Sequence, residues 1–297
     1  MNYLNIIVQT IDNIQRRSRF LAFTYAVIKK YSEDRTGYQA ALLTYYGFLA
    51  LFPLLLVVTT LTSILAANHP VQQAKIITAM TDYFPVLGHQ LSEHVTTFHT
   101  SGWALAVGII FTIYGARGVA DVFRLGVNYI WDEPEAGRLA FPKSLIKNFS
   151  LMFVGGLGLI VAAIITGIAS SAGQGVAFRV LSVVINFGLL YSLFAFLINA
   201  SLPRHVSLKH IWKGAAAAAI GLIILQSLGG YVLKSEFKSL DALYSYFAVA
   251  LGILFWIYLQ AQVLYYSVTI AAVDAHMLWP RSLAGSNKTA ADKKLGR

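Results

Sequence analysis

The sequence predicts an all-α protein that crosses a membrane six times and keeps both ends in the cytoplasm. Composition points there first: 57% of the 297 residues are hydrophobic and 12% are charged. A soluble domain carries about 25% charged residues, so most of this chain suits lipid better than water. Length points there next, because six stretches each offer about 20 largely apolar residues, enough to cross a bilayer core. Charge placement is the third sign, since 19 of the 23 Lys and Arg residues fall on one side of the six-stretch pattern. Backbone groups in lipid must bond within their own segment, so the stretches are helices. The alternating pattern of a membrane β-barrel is absent.

Residues 1–38 read as a cytoplasmic amphipathic segment. Ile7, Ile11 and Ile14 recur at helical spacing, and Arg16, Arg17 and Arg19 follow. That pattern describes a short helix on the membrane surface, with a partly disordered basic tail as the alternative. Asp12 lies inside the apolar part and the arginines come after it, the reverse of a secretory signal. Residues 39–273 form the membrane domain, with spans at 39–67, 102–122, 149–172, 180–200, 214–233 and 246–273. The first span is long and contains Pro53, which removes a backbone bond and is expected to kink it near mid-membrane. The outer loop 68–101 carries two apolar faces, Ile76 to Phe84 and Leu91 to Phe98, on either side of Pro85. These read as two amphipathic helices on the outer leaflet. Gly155, Gly156 and Gly158 in the third span, and Gly214 to Gly221 in the fifth, offer small faces for close helix packing. The tail, 274–297, is basic, and from Gly285 onward its composition predicts disorder.

Orientation follows from the basic residues. Arg16, Arg17, Arg19, Lys29, Lys30 and Arg35 precede the first span. Arg117, Arg124, Arg138, Lys143 and Lys147 surround the second connection, and Arg204, Lys209 and Lys213 the fourth. Arg281, Lys288, Lys293, Lys294 and Arg297 lie in the tail. Lys75, Arg179, Lys234 and Lys238 alone fall on the other side. The positive-inside rule then places both termini in the cytoplasm. The net charge of +10 is accounted for by this rule and by anionic headgroups, which are the expected partners, rather than by nucleic acid.

Two constellations stand out. Arg117, Asp121, Arg124 and Asn128 are spaced 4, 3 and 4 and share one face of the second helix. Arg117 falls about one turn inside the expected cytoplasmic boundary, a depth at which ionisable groups mark a pathway. Asp121 is able to pair with both arginines and leave an Arg fork for a phosphate or carboxylate. The competing reading is an intrahelical pair that snorkels to the interface. On the sixth helix Tyr258, Gln262, Tyr265 and Thr269 repeat at 4, 3 and 4. They either bond neighbouring helices or line an amphipathic cavity completed by Tyr45, Tyr46 and Gln226. A wet cleft between the first, second and sixth helices is the resulting expectation, with the Pro53 kink permitting rearrangement.

Enzymatic chemistry finds little support. Asp132, Glu133 and Glu135 flank Pro134 in a short turn, a pattern of solvated turns. His205 and His210 are five apart, off the spacing that puts two ligands on one helix face. His69, His89, His94 and His99 share the outer loop with Glu93 but show no dedicated metal spacing. With no Cys, thiolate sites and disulfides are excluded. No phosphate loop or nucleophile elbow is present. The expectation is no catalytic residue, no metal and no cofactor.

Several motifs in register resemble the YihY/BrkB family of bacterial inner-membrane proteins. Tyr45-Tyr46-Gly47-Phe48-Leu49-Ala50-Leu51-Phe52-Pro53-Leu54 resembles its first-helix pattern. Asn128 to Trp131 matches an Asn-x-x-Trp, Leu202-Pro203 closes the fourth helix, and Lys213-Gly214-Ala215 opens the fifth. Tyr244-Ser245 stands where Tyr-Gly is usual, and Trp256-Ile257-Tyr258 matches a Trp-x-Tyr. The resemblance spans roughly residues 35–275. One departure is chemical: Ser267 and Thr269 occupy positions where the family often has Gly and Glu. The resemblance implies a multi-pass protein of the bacterial inner membrane, linked to handling or export of lipid and lipopolysaccharide precursors in envelope biogenesis. A non-transporting scaffold that recruits partners or anionic lipid is the alternative. An older ribonuclease label for the family finds no metal-binding carboxylate set in this sequence.

Overall fold

The structure is a computed structural model, and it describes residues 3–66, 102–133, 143–170, 175–203, 206–236, 242–283 and 289–294. Every regular element among them is a helix. In order they are α1 (Tyr3–Arg17), α2 (Arg19–Glu33), α3 (Thr36–Ala66), α4 (Gly102–Ile130), α5 (Lys143–Ser170), α6 (Val176–Ser201), α7 (Leu208–Glu236), α8 (Ala242–Ala275) and α9 (Ala290–Lys294). Four stretches among the described residues are long and apolar enough to cross a membrane: Ala106–Ile130, Val180–Ser201, Leu208–Leu228 and Ala250–Ala275. Ile146–Ala162 of α5 is a shorter apolar helix. The expected outer-loop helices of 68–101, and the histidines there, lie outside the described residues.

Several boundaries differ from the sequence reading. The second span was expected to end at Val122, yet α4 continues to Ile130. Arg124 continues the helix with partners on its own helix and on α5, and Asn128 bonds back to the Arg124 carbonyl. The fifth helix starts at Leu208, nearly two turns before Gly214, and the third at Lys143 rather than Phe149. Helix α3 passes through Pro53 as one 31-residue element, so Pro53 does not divide it. An element absent from the sequence reading, α2, starts at Ser18, whose hydroxyl accepts from the Leu21 N–H.

Helix α3 packs along α4 and α8, α7 runs beside α8, and α5 and α6 complete the bundle. Close approach sets these contacts. A Cβ on Gly118 would meet the Tyr46 ring at 2.7 Å, and one on Gly214 would sit 2.5 Å from the Ser267 carbonyl. One core cluster joins Val127, Ile130, Ile198, Leu202, Ile211, Tyr265 and Val268. A second joins Ala162, Leu190 and Phe194 to Ala215, Ala218 and Leu222. Outward faces are apolar: Ile110, Tyr114, Phe153, Val184 and Phe255 are all exposed. Such continuous apolar surface suits lipid and is rarely tolerated by water.

The first two helices and the described part of the tail meet at one end of the bundle. Arg281, fully buried, donates through Nε to Asp292 at 2.6 Å and through Nη2 to Glu33 at 2.8 Å. Lys29 donates to the Ser282 carbonyl at 2.7 Å, and Asp12 accepts from the Leu283 N–H at 3.0 Å. Lys30, also buried, bonds Asp34 and Asp132 at 2.8 Å each and ties α2 to the end of α4. This overturns the expected disorder for part of the tail. Residues 289–294 are held by a carboxylate that composition alone reads as solvated, while 284–288 and 295–297 lie outside the described residues.

Candidate functional site

Helix α4 places Arg117, Asp121, Arg124 and Asn128 along one flank, as their spacing predicts. Their environments differ. Arg124 is buried, 7% exposed, where α4 meets the start of α5. Its Nε donates to Asn148 Oδ1 and its Nη2 to Asp121 Oδ1, each at 2.9 Å. Asn148 closes the triangle by donating to the same Asp121 oxygen at 2.9 Å. Asn128 bonds back to the Arg124 carbonyl at 2.9 Å, and its Oδ1 is buried without a protein partner. Arg117 is exposed, two turns from Arg124, and its charge acts on Asp121. The Arg fork expected from the sequence is therefore divided. Arg124 is committed to Asp121 and Asn148, and Arg117 keeps its donors open.

Arg117 shares its side of α4 with exposed Ile110, Ile113 and Tyr114. A guanidinium on such a face has three options: snorkel, pair with Asp121 or take an anion. Asp121 is already occupied by two donors, and its side chain is 44% exposed. The cluster thus presents a half-open carboxylate between one buried and one exposed arginine.

The sixth-helix stripe does not act as a unit. Tyr265 is fully buried, stacks near Phe123 and donates to the Val122 carbonyl at 3.2 Å. Thr269 bonds the Tyr265 carbonyl of its own helix at 2.8 Å. Both belong to packing. Gln262 instead accepts from the Tyr31 hydroxyl, and Tyr31 stacks on Tyr266 with ring centroids 3.8 Å apart. Tyr258 packs partly buried against the same core, and Tyr46 fills the space left by Gly118. Tyr45 is exposed and meets Tyr46 edge-on. Between the first, second and sixth helices, Tyr46 packs against Gly118 and Tyr265 against Gly126 at this level. Polar atoms there found partners on backbone and packing did the rest.

Sequence reasoning missed Asn148, Lys147 as a site residue, and Tyr31. Asn148 is a lone amide at the foot of an apolar stretch, the one signal available for it. Its partner lies across a connection, beyond the reach of helical spacing. Among the described residues no three His, Asp or Glu side chains gather as a metal site.

Long apolar helices with apolar outer faces, and ion pairs gathered at one end, define a multi-pass helical membrane protein. The chain belongs to the Virulence factor BrkB family, which matches residues 27–291. It is 26% identical over 284 residues to inner membrane protein YhjD of Escherichia coli (strain K12), covering 87% of this chain and 82% of that one. It is 24% identical to the ribonuclease-like protein YfkH of Bacillus subtilis (strain 168), covering 81% of this chain and 90% of YfkH. A UPF0761 membrane protein of Psychrobacter sp. (strain PRwf-1) is 24% identical over 85% of this chain, which spans 47% of that relative's length. No solved structure matches.

Proposed function

We propose that this chain is a six-span inner-membrane protein, both ends cytoplasmic, that handles an anionic, lipid-like amphipath along the outer face of α4. The single observation that carries this reading is exposed Arg117 beside the Asp121–Arg124–Asn148 triangle. An uncommitted guanidinium in an apolar surface attracts a phosphate or carboxylate headgroup, because the alternative is a poorly solvated charge. The triangle fixes Asp121 so that it limits Arg117 without neutralising it fully. Headgroup exchange between Arg117 and the interface gives a path that leaves the acyl chains in lipid. The bundle needs no internal channel for this, which agrees with the packed Tyr265 and Thr269. The sequence offers no phosphate loop and the described residues gather no metal set, and we read the chain as a non-enzyme.

The test is translocation. The purified chain is reconstituted in vesicles of phosphatidylcholine with 20% phosphatidylglycerol (~20% is ample for a surface potential), carrying a fluorescent phosphatidylglycerol in both leaflets. A membrane-impermeant quencher then reports exchange. The proposal expects Arg117→Ala to slow exchange by at least about tenfold, the worth of a charged hydrogen bond, with insertion unchanged. A scaffold reading, favoured by the packed interior and the clasped ends, expects no exchange by the wild type and tolerance at Arg117.

A further inference from the structure

A second feature lies on the other side of α5. Its seam with α6 forms an apolar groove of about 330 Å³, lined by Phe153, Leu157, Val161, Leu189, Ser192 and Phe196 among others. Leu193 forms its floor, pressed so close to α5 that a Cβ on Gly158 would lie 2.6 Å from it. The one hydroxyl in the lining, Ser192, is bonded to the Leu189 carbonyl at 2.9 Å, so the groove offers no free donor.

Lys147 stands at the foot of this groove. It falls on the groove side of α5, with exposed Ser150 between it and Val154 by helical periodicity. Its Nζ donates to the Leu202 carbonyl at the end of α6, 2.7 Å away. Among the described residues that carbonyl is its one bond, and the charge acting on it is the like charge of Arg124. The ammonium is half-buried and, among the described residues, has no carboxylate to compensate it, which favours an anion from outside.

We propose that the α5–α6 seam binds one anionic phospholipid of the bilayer, its phosphate on Lys147 and Ser150 and one acyl chain in the groove. The lengths agree. Phe153 lies six residues and Val161 fourteen residues beyond Lys147, or about 9 and 21 Å along the helix. Half a bilayer with its headgroup layer is about 20–22 Å thick, so with the phosphate at Lys147 the groove covers the middle and end of one acyl chain. The site requires no translocation and none of its residues is Arg117, Asp121, Arg124 or Asn148.

Native mass spectrometry of the full chain, with added dioleoylphosphatidylglycerol or dioleoylphosphatidylcholine, tests this. The wild type retains one phosphatidylglycerol about fivefold better than phosphatidylcholine, the effect of one basic residue near a headgroup. Lys147→Gln removes that preference and Lys147→Arg restores it. Ser192→Phe, an exposed substitution, fills the groove and reduces retention of both lipids. Equal retention of the two lipids by the wild type overturns the proposal. So does unchanged retention in Ser192→Phe, or a shift in oligomeric state there, which assigns the groove to a second copy. If lipid binds as expected while Arg117→Ala exchanges lipid normally, the α4 reading fails and this site stands.

Discussion

At Asn148 a single amide serves two charged groups, accepting from Arg124 and donating to Asp121. Asn148→Leu keeps the branched shape and removes both bonds. Arg124 then stays buried with its Nε unpaired, which costs about 1–3 kcal/mol. Thermal unfolding in detergent is expected to fall by several degrees for this variant. Arg117→Ala behaves oppositely, because an exposed side chain away from packing changes stability by about 0.5 kcal/mol or less. The pair separates a supporting residue from a contacting one. The shared face of Arg117, Asp121, Arg124 and Asn128 was legible in the sequence, since helical periodicity alone creates it. Which arginine is buried was not, because Asn148 lies on another helix and decides it.

Between elements, close approach and ion pairs set the geometry. Gly126 faces Tyr265, and a Cβ there would lie 2.4 Å from its hydroxyl oxygen. Gly126→Ala therefore pushes α4 from α8, with an expected cost of about 1–3 kcal/mol by overpacking, read as a lower unfolding temperature. The clasp of α2, α9 and the segment after α8 adds a pH dependence. Burial alone would raise the Asp292 carboxyl. Hydrogen bonds from Thr289, Arg281 and the N–H groups of Thr289 and Ser282 outweigh it and hold the carboxyl well below its usual range. The folded value lies below the unfolded one, so the clasp's contribution is full above roughly pH 4 and is lost as pH falls further. Protection of the Ser282 and Thr289 amides, which donate to Asp292, relative to their intrinsic hydrogen-exchange rates is expected to fall at low pH in the wild type. In Asp292→Asn that protection is low already at neutral pH. The sequence hid this clasp because Arg281 and Asp292 carry ordinary tail composition, and Glu33 lies 248 residues away.

For the whole molecule, the apolar stretches and the one-sided basic residues were legible because lipid imposes both directly on composition. The packed interior was not, since a polar stripe such as Tyr265 and Thr269 looks the same whether it lines water or bonds backbone. The proposed topology has a clean test in a chain with no Cys. Arg17→Cys and Lys294→Cys are expected to react with an impermeant maleimide only after inner-membrane vesicles are inverted, and Lys75→Cys only before.

The central claim is that an anionic headgroup sits on Arg117. Tyr114, exposed one turn away, is the position from which to observe it. A photo-crosslinking residue placed at 114 is expected to capture alkynyl phosphatidylglycerol in preference to alkynyl phosphatidylcholine, and to lose that preference in Arg117→Ala. Equal capture of both lipids, unchanged by Arg117→Ala, would contradict the account.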